Sequence, residues 1–128
     1  MLRQLFACDF YVQIMPDAFQ LTLLEPPYPQ LQVQANPGFT SSRLLVGQFS
    51  QASRCLREAL GQLPGKGWVK RSPRLLLHPM ALCEGGLSEV EERLLRELGL
   101  SAGAHQVRLH LGNPLSAEQA QALLRQAA

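Results

Sequence analysis

The hydrophobic period of this chain switches from two to between three and four near residue 45, and that switch constrains its architecture more than any other feature. In residues 19–23 and 31–35 apolar side chains recur at every second position, and from Leu45 to Leu63 they recur at every third or fourth. A period of two marks a strand with one buried face, and a period near 3.6 marks an amphipathic helix. Residues 5–14 form a β-rich run without Gly or Pro, and Pro16-Asp17 offers a turn. Phe19, Leu21 and Leu23 then share one face, so residues 5–14 and 19–24 are expected to pair as an antiparallel hairpin. Pro26, Pro27 and Pro29 end that strand. Residues 31–35 alternate again, with outward glutamines that suit an edge strand.

After a loop over 36–42, Leu45, Phe49, Ala52, Leu56, Ala59 and Leu63 draw one apolar stripe, stopped by Pro64-Gly65-Lys66-Gly67. Residues 74–78 form a short apolar run between prolines, expected as a central strand buried on both faces. Glu84-Gly85-Gly86 connects it to a helix capped by Ser88, with Glu91 completing a capping box. Val90, Leu94, Leu95 and Leu98 are its expected buried side, and Gly99 its expected end. Residues 105–111 alternate, with Val107, Leu109 and Leu111 inward. Ser116 and Gln119 then cap a last helix that packs through Ala120, Leu123, Leu124 and Ala127. The order β-β-β-α-β-α-β-α implies a mixed sheet. Right-handed crossovers put the first two helices on one face and leave the other for the last.

A chain of 128 residues has room for one core, and 1–128 reads as a single α/β domain. With 46% hydrophobic and 17% charged residues it is expected to fold. A net charge of +2 is too small to steer nucleic acid, and no nucleic-acid partner is expected. Apolar runs fall far short of the ~20 residues that span a membrane. The opening MLRQLF does not read as a signal peptide. Cys8, Cys55 and Cys83, odd in number and widely spaced, fit reduced thiols in a cytoplasmic protein.

Three segments resemble the rod shape-determining bacterial actins, the MreB family. Ser72-Pro73-Arg74-Leu75-Leu76-Leu77 is similar to that family's "SPRVLV" strand. Gly86-Leu87-Ser88-Glu89-Val90-Glu91-Glu92-Arg93 is similar to its "G-x-T-x-V-E-R-R" helix start. Leu100-Ser101-Ala102-Gly103-Ala104-His105-Gln106-Val107 is similar to its "GAGAREV" turn into the next strand. Residues 44–63 resemble its "GVIADF" segment and following helix, and residues 1–9 its opening more loosely. The resemblance implies the first subdomain of an actin-like ATPase: a ribonuclease-H-like five-stranded mixed sheet of order 3-2-1-4-5 with three helices.

The departures imply a lost activity. Where the family's first phosphate loop reads D-L-G-T-A-N, this chain reads Asp9-Phe10-Tyr11-Val12-Gln13, keeping Asp9 as a relic of that loop. Two bulky aromatics stand where the backbone must close on phosphate. The acidic "E-E-P" stretch becomes Leu111-Gly112-Asn113-Pro114. The family's inserted subdomain shrinks to residues 35–43, and its second half, with the adenosine pocket, has no counterpart in these residues. No ATP, other cofactor or metal is expected. A two-metal nuclease would need carboxylates beside Asp9, and only Glu58 and Glu84 suit by chain order. His78, Cys83, His105 and His110 lack metal-ligand spacing, and His78 is expected to satisfy a backbone carbonyl. Lys66, Lys70, Arg71 and Arg74 flank Trp68, a basic and aromatic loop that could be an interaction surface.

The expected function is therefore non-catalytic: an MreB-like protein-interaction module tied to the cell-shape cytoskeleton. Its partner would be an actin-like filament protein or a second copy of itself. Alternative readings are an adaptor of secretion or pilus machinery built on an actin-like fold, or an enzyme with residual nucleotide binding or two-metal nuclease action.

Overall fold

The computed structural model describes residues 7–63, 72–82 and 84–126. Their elements run β1 (Ala7–Met15), β2 (Ala18–Leu23), β3 (Gln30–Gln34), α1 (Phe49–Gln62), β4 (Ser72–Pro79), α2 (Glu89–Ser101), β5 (Gln106–Leu109) and α3 (Ala117–Gln126). One five-stranded sheet carries the order β3-β2-β1-β4-β5. β1, β2 and β3 are antiparallel neighbours, whereas β4 lies parallel to both β1 and β5. The expected mixed α/β architecture and strand order are thus present.

The β1–β2 hairpin closes on Pro16 and Asp17, since Met15 faces Ala18. Asp17 takes φ 57, a left-handed conformation that Asp tolerates better than most residues. Its carboxylate Oδ1 accepts the N–H groups of Phe39 (2.8 Å) and Thr40 (2.7 Å), and its own N–H donates to Thr40 Oγ1. This turn therefore pins the long loop that follows β3. Gly38 allows the approach, because a Cβ there would collide with the Asp17 carboxylate.

Alternation sorts the sheet into two faces. Phe10, Val12, Ile14, Phe19, Leu21, Leu75 and Leu77 point to one side, against Ala52, Leu56 and Ala59 of α1 and Leu95 and Leu98 of α2. Tyr11, Leu24 and Leu76 point to the other, against Ala120 and Leu124 of α3. Leu75, Leu76 and Leu77 are all fully buried, as a central strand covered on both faces requires.

Several sequence expectations need correction. Leu45 is buried but precedes α1, so it anchors the loop rather than the helix. Val90 is 77% exposed and Leu111 is 41% exposed, so neither joins the core. Gly99 lies inside α2, where a Cβ would come within 2.6 Å of Val107 Cγ2; it permits α2 to settle on β5. The helix ends instead at Gly103 (φ 115), with Gly103 N–H donating to the Leu100 carbonyl and Ala104 N–H to that of Gly99. That paired bonding caps the C-terminus.

Candidate functional site

In open sheets with parallel strands, ligands bind beyond the carboxyl ends of those strands. Here the carboxyl ends of β1, β4 and β5 lie side by side. At that end His78, near the close of β4, is bonded to the protein's own Gly112 carbonyl, whereas the pair Asp9 and Arg74 lies toward the amino ends of β1 and β4.

Asp9 and Arg74 stand directly opposite in the β1–β4 register. Arg74 Nε donates to Oδ1 and Nη2 to Oδ2, each at 2.8 Å. The pair is only 14% and 17% exposed. Its bonds to Asp9 push the Arg74 guanidinium above the usual range, against the opposing effect of burial. Such a fork uses both carboxylate oxygens, so a metal or a phosphate-bound water would first have to displace the guanidinium. Arg74 is thus a strand residue committed to Asp9, not part of a basic loop. Lys66, Trp68, Lys70 and Arg71, the other members of that expected surface, lie outside the described residues, as does Cys83.

The stretch from Asp9 to Gln13 is uninterrupted strand rather than a turn. Phe10 and Tyr11 therefore do not crowd a loop; they alternate across the sheet into separate cores. Glu58 projects from α1 on the side opposite Asp9, and Glu84 is exposed in the β4–α2 connection. Neither joins Asp9, and among the described residues no group of three or more His, Cys, Asp or Glu could hold a metal ion.

A second cluster was not legible as a unit in the sequence. Tyr11 Oη lies 2.7 Å from His78 Nδ1, and His78 Nε2 lies 2.9 Å from the Gly112 carbonyl. A carbonyl can only accept, so Nε2 carries the proton and Nδ1 accepts the Tyr11 hydroxyl. Tyr11 Oη in turn accepts the Leu115 N–H at 3.1 Å. His110 packs edge-on against His78 with ring centres 4.6 Å apart, and its own Nε2 donates to the Asn113 carbonyl at 3.1 Å. Burial holds the His78 pKa down; the Gly112 bond opposes this and His110 adds to it. Burial likewise raises the Tyr11 phenol, with Leu115 pulling partly back. Both groups are therefore neutral near pH 7 and fully bonded. The expected carbonyl partner of His78 is the Gly112 carbonyl. Gly112 belongs to the loop between β5 and α3.

On the opposite face an open groove of about 340 Å³ runs between β3 and α1, lined by Val33, Ala35, Arg54, Cys55 and Glu58 among others. Burial, then Glu58, pushes the Cys55 thiol up, which disfavours the nucleophilic thiolate.

No family model matches the chain. A match is found to the uncharacterized protein YjaA of Escherichia coli strain K12, 31% identical over 93 residues, covering 69% of this chain and 71% of that protein. At that identity and coverage, the chain belongs to the same family as YjaA.

Proposed function

We propose that this protein is a non-catalytic interaction module, a reduced relative of the ribonuclease-H-like first subdomain of the MreB actins, tied in the cytoplasm to the cell-shape cytoskeleton. The observation that carries the reading is the Asp9–Arg74 fork. The one acidic residue kept from the first phosphate loop is consumed by a guanidinium from the neighbouring strand. The 3-2-1-4-5 sheet order supports the fold part of the reading. The Gly112–Leu115 loop, stitched to His78 and Tyr11, supports the loss of a nucleotide seat.

Titration calorimetry with Mg-ATP tests the disabled site, and affinity capture with an actin-like filament protein as bait tests the partner. The expected outcome is no heat of nucleotide binding and retention on the filament protein. Micromolar Mg-ATP binding overturns the first claim, and failure to be retained on the filament protein overturns the second.

A further inference from the structure

The outer edge of β3 is open and carries its own template for pairing. Leu23 N–H donates to the Pro29 carbonyl (2.9 Å) and Ala35 N–H to the Asp17 carbonyl (2.8 Å). Bonded and non-bonded pairs alternate along an antiparallel ladder. Leu31 and Val33 therefore spend their backbone groups on β2. The β1 side agrees, since Leu24 N–H donates to the Asp9 carbonyl and leaves the odd residues of β2 for β3. The N–H and C=O groups of Gln30, Gln32 and Gln34 consequently point away from the sheet, and among the described residues no strand pairs with them.

Exposed edges are normally blunted by charge, proline or a bulge. β3 has none of these between Gln30 and Gln34. Pro29 and Pro37 stand outside it and confine pairing to this short window. At the other edge, β5 has only four residues and includes Arg108.

We infer that β3 pairs with β3 of a second copy, antiparallel, about a two-fold axis through Gln32. The pattern Gln-Leu-Gln-Val-Gln is symmetric about that residue. The rotation sets Gln32 against Gln32 of the second copy and Gln30 against Gln34 of the second copy. All are outward-pointing residues, able to exchange both backbone bonds. It also sets Leu31 beside Val33 of the second copy on the helix-covered face, where both side chains are half-buried and Val33 lines the groove. The edge is neutral, and Arg54 and Glu58 on the α1 wall cancel, so two identical surfaces meet without like-charge repulsion. The contact is isologous and closes at two copies. This inference gives the second-copy partner expected from the sequence a surface and a register, and does not rest on the nucleotide or filament reading: calorimetry and filament capture are indifferent to its outcome.

The test is mass in solution by sedimentation, across micromolar to submillimolar concentration, on wild type and three variants. Gln32→Pro removes an outward N–H that β2 does not use, and is expected to weaken the dimer at least about tenfold. Gln30→Lys with Gln34→Lys sets like charges directly opposite across the axis and is expected to weaken it comparably. Gln30→Glu with Gln34→Lys sets opposite charges there and is expected to preserve or tighten it, an outcome that misfolding does not mimic. Amide exchange of Gln30, Gln32 and Gln34 is expected to slow as concentration rises. A monomer at every concentration overturns the proposal, even if an unrelated extended peptide binds the edge. Protection that does not vary with concentration also overturns it, because the occupant would then come from the same chain.

Discussion

The two faces of the sheet are covered by different means. On the α1 and α2 side, two crossover helices bury a continuous apolar layer. On the α3 side, one ten-residue helix supplies only Ala120 and Leu124 as fully buried contacts. Polar bonds complete that cover. Arg108 Nη1 donates to the Leu123 carbonyl at 2.8 Å, and Gln121 Nε2 to the Leu24 carbonyl at 3.0 Å. Tyr11 and His78 tie the preceding loop down. Apolar packing is tolerant of detail but costly to hollow out. A buried polar network is held only while every member stays paired. The first face should therefore respond to volume, and the second to the loss of single atoms or protons.

The largest expected effect falls on the first face. Phe19 is fully buried and stacks on Phe39 with ring centres 4.9 Å apart. Phe19→Ala should cost about 4 kcal/mol in urea unfolding. A loss below about 1 kcal/mol would mean that the layer relaxes around the void, and the contrast between the faces would fail.

On the second face the telling substitution removes one oxygen. Tyr11→Phe leaves the ring in place but deprives His78 Nδ1 of a donor and the Leu115 N–H of an acceptor. Two unsatisfied groups in a part-buried site should cost about 2 kcal/mol. Native-state exchange should accelerate at Leu115 while the amides of α1 keep their protection. Uniform acceleration across both layers would show that α3 and its loop have no local stability of their own.

These two regions also differ in how far the sequence exposes them. Both capping boxes, Ser88 with Glu91 and Ser116 with Gln119, are present as read, because a cap is a three-residue rule. The apolar layer follows from period, the two-sided assignment of the helices from the right-handedness of the crossovers, and the central place of β4 from its unbroken apolar run. Val90 and Leu111 mark the limit of that logic, since a stripe identifies a side of an element but not how far its neighbour extends. Asp9 and Arg74 lie 65 positions apart, and their pairing depends on the register of parallel strands joined by a crossover. Tyr11 and His78 are 67 apart and sit in the same strand pair. No local spacing encodes either contact, so the polar half of the candidate site became visible only with the sheet assembled.

The subtlest contrast is in pH. His78 has a folded pKa below its ordinary 6.5, mainly through burial. Below pH 6.5 the unfolded chain therefore takes up a proton that the folded chain refuses, and stability falls as pH drops toward the folded pKa. Above 6.5 both states are neutral at this position and the contribution is complete. The neighbouring His110 ring, edge-on to His78, adds a smaller contribution in the same direction. Melting temperature should decline from about pH 6.5 to 5.5 in wild type, and His78→Gln should flatten that decline while lowering the plateau. Carboxylates elsewhere titrate in both proteins and cancel in the difference. A decline of equal steepness in the variant would move the pH sensitivity away from this loop, leaving the α3 face no more proton-dependent than the apolar one.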